Sequence, residues 1–209
     1  MLTELLIIGA GGHSKVVIEA ARGSDQSCHI KVANQDKAKQ GERLLDIFEI
    51  HFLDDWSTVP DNFHVAIGNN KVRKQLAIAG LNHDKKFSSI IHNLACVSDS
   101  CNISSGSFIA ANVIVAAQSN IEIGCIINHA AIVDHDCVIG AYSHIAPNVT
   151  LGGGVQIGAE CLIGAGAVVL PQVKVGKGVT VGAGAVVTND IEDNRIVVGI
   201  PARCKGSDE

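Results

Sequence analysis

The chain has 209 residues, enough for one large or two small domains, and its net charge of −5 gives no general attraction to nucleic acid. Aromatic residues are only 3% of the total, so a core must be built from Ile, Val, Leu and Ala. No run of eighteen apolar residues exists, and the opening MLTELLIIGAGGHSK lacks a basic segment ahead of its apolar stretch, so neither a membrane span nor a signal peptide is expected.

The first elements read as a small α/β unit. Leu5 to Ile8 is a short apolar run of the kind that forms a buried strand. A glycine turn follows at Gly9, Ala10, Gly11, Gly12 and His13, and Ser14 is placed to cap a helix through about Arg22 with Val16, Val17 and Ala20 inward. Further strands are expected near His29 to Ala33, Ile47 to Phe52 and His64 to Gly68, a second helix over Lys71 to Ala79, and a polar surface loop from Asn34 to Arg43. Strands alternating with helices predict a small Rossmann-like parallel sheet over residues 1–88.

A strand, a glycine turn and a helix can hold phosphate on the free backbone N–H groups of the helix N-terminus, which makes Gly9, Gly11 and Gly12 candidates for substrate contact. GAGG departs from GxGxxG, since the third glycine position is Ser14, and a glycine turn is also an ordinary tight connection. His13 and Lys15 can meet phosphates or stand as solvated residues at the helix start. Asn69 can bind sugar or base, or cap the second helix.

From Ile91 to Val187 the pattern changes. Every sixth residue is Ile, Val or Leu, at seventeen consecutive positions. Four residues after each comes a small residue, among them Cys101, Cys125, Cys137 and Cys161. The column two residues on is largely small or polar, with His129, His135, Pro147, Gly153, Ala165 and Ala183 among its members. A unit of six is too short for a helical repeat and fits one strand plus a corner. Three units close a triangular coil of eighteen residues, and stacked coils bury the branched column. The seven cysteines are odd in number, no CxxC occurs, and four fall in the small column, so they read as small core residues of a reducing cytoplasm rather than disulfides or a metal site.

This period resembles the hexapeptide-repeat acyltransferases, whose fold is a left-handed parallel β-helix; here it would span residues 89–199, followed by a tail over 200–209. GAGGHSK after a strand, AIGNNKVRK at Ala66 to Lys74, the repeats and the closing VGIPAR at Val198 to Arg203 together resemble one subfamily. Its members N-acetylate nucleotide-linked 4-amino-4,6-dideoxy sugars or O-acetylate sialic acids, with acetyl-CoA as donor. The resemblance implies that the first domain holds the nucleotide-sugar, that three copies assemble with active sites between them, and that no metal is used. Of an acidic cluster expected after the second strand, only Asp36 remains.

His135 stands between Asp134 and Asp136 on a corner. The resemblance implies His135 as general base and Asp136 as its assistant. A neutral imidazole suits removal of a proton from an amine or hydroxyl, and a carboxylate on its other nitrogen fixes the tautomer. Residues eighteen apart lie one above the other, which puts His135 over Gly153; a glycine there leaves its N–H open to a tetrahedral oxyanion, or is a plain corner. The resemblance gives His144 to acetyl-CoA, against the alternative of a packed histidine between subunits. Pro147, Ala165 and Ala183 form a stack along which a pantetheine arm can lie, or an ordinary corner column. Two other classes are weaker: a zinc hydratase on the same coil, whose histidines would have to converge although His129 and His135 point to different faces, and a non-catalytic nucleotide-sugar scaffold, against which the His–Asp pair above a glycine argues.

Overall fold

The computed structural model describes residues 4–24 and 28–205, which divide into two compact units, Met1–Asn93 and Leu94–Glu209. In the first, β1 (Glu4–Ile8) is followed by α1 (Gly12–Ser24), β2 (His29–Asn34), β3 (Arg43–Leu44), β4 (Phe48–Phe52), β5 (Asn62–Val65), α2 (Asn70–Leu81) and β6 (Lys86–Phe87). The sheet order is β3-β4-β2-β1-β5-β6, parallel except for the β3–β4 pair. Leu5, Leu6, Ile7 and Ile8 are all buried, as a central strand covered on both sides requires. The chain runs from β1 outward through β2 to β4, then returns to place β5 on the other side of β1. The β1/β5 gap is therefore the point where strand order reverses, and ligands of open α/β sheets bind at the carboxyl edge of such a gap.

Three local expectations are corrected. Ser14 does not cap α1, which starts at Gly12; Ser14 is fully buried in the first turn and its Oγ donates to Ala66 O at 3.1 Å, tying α1 to the end of β5. Inward residues of α1 are Ser14, Val17, Ile18, Ala20 and Ala21, whereas Val16 is half-buried. The stretch 34–43 is not simply a loop: it holds a 3-10 turn at Lys37–Lys39 and reaches β3. The scarce aromatics are concentrated here, with Phe63 edge-on to Trp56 at 5.3 Å and stacked on Phe87 at 5.0 Å.

The second unit is a left-handed parallel β-helix with three faces of two-residue strands. The first face holds Cys96–Val97, Ile114–Val115, Ile132–Val133, Thr150–Leu151, Val168–Val169 and Val186–Val187. The second runs from Asn102–Ile103 to Lys174–Val175, and the third includes Phe108–Ile109, His144–Ile145, Leu162–Ile163 and Thr180–Val181. Partner residues differ by eighteen: Val115 pairs with Val133, Val133 with Leu151, Leu151 with Val169. From Val115 to Val187 every member of the branched column is essentially sealed from solvent.

From residue 106 to 184, each corner contains a residue in the left-handed region, three after the column member. Asn112, Gln118, Ala130, Asp136, Tyr142, Asn148, Glu160 and Gln172 have φ between 55° and 64°, and glycines fill the other such positions from 106 to 184. The small residue that follows does more than save space. Ser119 Oγ donates to Asp134 O (2.7 Å), Ser143 Oγ to Gly158 O (2.8 Å), Cys137 Sγ to Gly152 O (3.3 Å) and Cys161 Sγ to Gly176 O (2.9 Å), in each case fifteen residues on. These cysteines are thus donors to partly buried carbonyls as well as small fillers. Burial pushes the Cys137 thiol up and the Cys161 thiol up to about 11, which keeps both protonated.

The spacing breaks once. Val175 bridges to Ile191 and Val181 pairs with Val197, a step of sixteen, so the last coil is two residues short. Ile196–Val198 then receives Arg203–Cys204 as an antiparallel strand, and Ala202 N donates to Val186 O.

Candidate functional site

At the carboxyl edge of the first sheet, the glycine turn and the β5–α2 loop flank the β1/β5 gap. Gly9 has φ +127°, and a Cβ there would lie 2.8 Å from both Ala66 O and Ser14 Oγ, so packing and conformation alone require glycine. Gly11 and Gly12 differ: neither has a positive φ, and a Cβ on either would meet nothing within 4 Å. His13 is half-buried and Lys15 exposed, both in the first turn of α1. Asn69 uses its side-chain oxygen to accept from Val72 N (3.1 Å), capping α2, and Asp36 caps the 3-10 turn by accepting from Ala38 N (3.0 Å). The structure brings the glycine turn, His13, Lys15 and Asn69 to one edge of the sheet, with Asp36 beyond the end of β2.

Two buried residues here escaped the sequence reading. Arg73 is fully buried and donates to Ile67 O (3.0 Å), Gly68 O (3.2 Å) and Asn70 Oδ1 (2.8 Å), so it clamps the loop that carries Asn69. His64 Nδ1 lies 2.9 Å from Ser88 O, and burial holds its pKa down at about 4, with the nearby Arg73 charge acting the same way. In NNKVRK nothing distinguishes a buried arginine from a solvated one; only its spacing of three from Asn70 hinted at the contact.

In the β-helix, His135 occupies the corner between the first and second faces. Its Nδ1 is 2.7 Å from Asp136 Oδ2, and its backbone N donates to Asp134 Oδ1 at 2.8 Å. Asp136 reaches the ring because the corner holds it at φ 59°. The Asp136 hydrogen bond first, and the Asp134 charge second, raise the His135 pKa above the ordinary imidazole value. With Nδ1–H given to Asp136, Nε2 carries the lone pair. One coil on, a Cβ built at Gly153 would lie 2.5 Å from that Nε2, so the ring stands directly on the glycine. Gly153 itself has an ordinary φ, and the left-handed residue of that corner is Gly154.

His144 is not near this corner: it starts a strand of the third face. His129 N donates to Asn128 Oδ1 (2.9 Å), which fixes the amide so that Asn128 Nδ2 donates to His144 Nε2 (3.2 Å). Asn128 went unnoticed in the sequence because it sits one residue after the column, outside the columns considered. Ala165 and Ala183 stack at the corner between the third and first faces. The arrangement supplies one unprotonated imidazole nitrogen held by a carboxylate, above a backbone amide that carries no side chain: the elements of proton abstraction and oxyanion binding without a covalent intermediate. Among the described residues no cluster of His, Cys, Asp and Glu could hold a metal ion, and no helix is long and apolar enough to cross a membrane.

Comparison with known proteins decides the family. Residues 4–79 match the PglD N-terminal domain, residues 131–171 the hexapeptide repeat of succinyl-transferase, and residues 154–189 the bacterial transferase hexapeptide of six repeats. The acetyltransferase domain of PglB from Neisseria gonorrhoeae is 38% identical over 96% of this chain and 98% of its own, with a TM-score of 0.88. The chain belongs to the hexapeptide-repeat sugar acetyltransferases. The same domain of this relative has been solved in complex with acetyl coenzyme A, at 39% identity and a TM-score of 0.89 over 96% and 98% of the two chains. PerB from Caulobacter crescentus, solved with CoA and GDP-perosamine, is 34% identical over 99% of both chains with a TM-score of 0.91. No curated protein sequence matches the chain.

Proposed function

We propose that this acetyltransferase moves an acetyl group from acetyl-CoA to the amino group of a nucleotide-linked 4-amino-4,6-dideoxy sugar, with His135 as general base. The observation that carries the proposal is the His135–Asp136 contact of 2.7 Å with Nε2 standing on Gly153. His135 Nε2 takes the proton from the amine as nitrogen attacks the thioester carbon. The Gly153 N–H stabilises the oxygen that becomes negative. Collapse of the tetrahedral centre breaks the C–S bond, and the proton held by His135 passes to the departing sulfur. Asp136 keeps the ring in the useful tautomer and stabilises its charged form. Crystals of PerB with CoA and GDP-perosamine support this substrate class.

The glycine turn with His13 and Lys15 is the proposed seat of the phosphates. Gly11 and Gly12 lack side chains although neither packing nor φ demands it, which leaves their amides open at the start of α1. Asp36 and Asn69 keep their roles as proposed contacts to nucleoside and sugar, in addition to capping. The working unit is a homotrimer. His135 and Gly153 lie on one edge of the prism, whereas His144 is on the opposite face and Ala165 and Ala183 on another edge. One acetyl-CoA that meets both sets therefore needs two copies of the chain.

The test is release of CoA thiol with a panel of GDP-, UDP- and dTDP-linked 4-amino sugars and with free sialic acid, each product identified by mass. Transfer to a nucleotide-linked amine is the expected result. Acetylation of sialic acid hydroxyls alone would replace the proposal with O-acetylation, and binding without turnover would leave a scaffold.

A further inference from the structure

Cys137 is fully buried, protonated and absent from the mechanism above, yet it touches the peptide that the mechanism depends on. Its Sγ lies 3.3 Å from Gly152 O. That carbonyl therefore points into the core. A trans peptide is planar with its N–H opposite its C=O, so the N–H of the next residue, Gly153, points outward, toward the side where His135 stands.

The coil repeats this construction, and the copies show what the outward amide does. Ser119 Oγ holds Asp134 O, and the following amide, His135 N, is taken by Asp134 Oδ1 at 2.8 Å. Cys125 Sγ holds Gly140 O at 3.3 Å, and Ala141 N is taken by Glu122 Oε2 at 2.8 Å. Cys161 Sγ holds Gly176 O, and Lys177 N is taken by Asp193 Oδ1 at 2.9 Å. Three sibling corners thus hold a carboxylate oxygen at hydrogen-bond distance on the same amide. Three others, where Cys101 Sγ holds Ala116 O (2.8 Å), Ser107 Oγ holds Glu122 O (3.1 Å) and Ser143 Oγ holds Gly158 O (2.8 Å), leave the following amide without a hydrogen bond among the described residues. Gly153 is set apart from these by the His135 ring that stands on it. At Gly153 the amide makes no hydrogen bond among the described residues, and the glycine puts no side chain in the way.

We infer that Cys137 is a positioning residue for catalysis: its thiol, by holding Gly152 O inward, aims the Gly153 N–H at the oxyanion of the reacting thioester. This rests on the reading of Gly153 as oxyanion donor. The thiol shares Gly152 O with the turn hydrogen bond from Val155 N, which at 3.3 Å is long for an N–H donor. Without the thiol the peptide is therefore held loosely, though not released.

The experiment compares Cys137→Ala with Cys137→Ser and with Cys161→Ala, which removes the same kind of bond at a corner outside the catalytic edge. Both alanine variants lose a buried donor and are expected to lower Tm by similar amounts. Cys137→Ala is expected to lower kcat by about three- to tenfold, the range for one neutral hydrogen bond, with little change in KM for acetyl-CoA. Cys137→Ser, whose hydroxyl donates as Ser119 and Ser143 do, is expected to restore kcat, and Cys161→Ala to leave it unchanged. Equal kcat for Cys137→Ala and Cys161→Ala overturns the inference, as does a loss that Cys137→Ser fails to restore. Gly153→Ala is measured alongside: a fall there with a normal Cys137→Ala overturns only the role of the thiol, whereas an unharmed Gly153→Ala removes the oxyanion reading and the inference with it.

Discussion

The two units of this chain use glycine, histidine and buried polar groups in opposite ways. In the coil, one number sets the stacking: residues eighteen apart are neighbours, so His135 over Gly153 and Ser119 under Cys137 are instances of one rule. In the α/β unit each polar contact is made once. Ser14 reaches Ala66, Arg73 reaches Ile67 and Gly68, and His64 reaches Ser88, at separations that no period relates. A repeat makes chemistry predictable from sequence because stacking fixes long-range neighbours in advance. A sheet of unequal strands leaves them to be settled by packing.

The comparison predicts that a change at the coil edge removes activity without unfolding the protein. His135→Ala deletes an exposed imidazole and leaves the branched column intact, so kcat is expected to fall by roughly a hundred- to ten-thousand-fold with Tm unchanged. Near-normal turnover in that variant would show that the base is elsewhere.

In the α/β unit the corresponding histidine change acts on stability instead. His64 has a folded pKa of about 4 against 6.5 for the exposed group, so the unfolded chain binds the proton more readily. Its contribution to stability is complete above pH 6.5 and is lost as pH falls toward 4, by at most roughly 3 kcal/mol. His64→Gln, which does not titrate, is expected to flatten the stability curve across that window, read by urea midpoints at matched pH values. A curve as steep as wild type would remove His64 as the source.

A smaller effect on turnover than that of His135→Ala is expected from Asp136→Asn. Asparagine tolerates the left-handed corner, so the fold is kept. Loss of the charged hydrogen bond is expected to lower kcat on the order of tenfold. Because Asp136 raises the His135 pKa, wild type stays protonated and inactive to a higher pH than an ordinary imidazole would. In the variant, the rise of kcat/KM with pH should shift to lower pH. A pH profile that does not move would separate Asp136 from the base.

The sequence was most legible where it repeats. The branched column, the three faces and the His135–Gly153 stack follow from the sixfold period. The left-handed corner position did not, although its column holds Gly106, Gly124, Gly154, Gly166, Gly178 and Gly184 together with Asn112 and Asn148. Tyr142, Ala130, Glu160 and Gln172 dilute that signal, because stacking between coils outweighs the cost of about 1–2 kcal/mol for a side chain in that conformation. The cysteines were legible as small but not as donors, since the carbonyl each one meets is fifteen residues away rather than eighteen. In the α/β unit the elements were legible to within a few residues. The burial of Arg73 and Ser14 was not: Ser14 meets Ala66, 52 residues on, and the Arg73 contacts with Ile67, Gly68 and Asn70 depend on the irregular path of the loop before α2, which no periodicity marks.

The short final coil settles how the stack of strands ends. A parallel β-helix presents open backbone at its last turn, and another chain could continue the ladder there. Here Ile191 bridges to Val175, Ala202 donates to Val186, and the antiparallel Arg203–Cys204 closes the third face, so segment 189–205 lies over the terminal rung of every face. A coil two residues short, followed by a reversed strand, offers no register for another eighteen-residue turn. The segment that carries VGIPAR thereby works as a stopper against fibre growth, keeping a surface rich in β-branched residues from becoming a seed for end-to-end polymerisation.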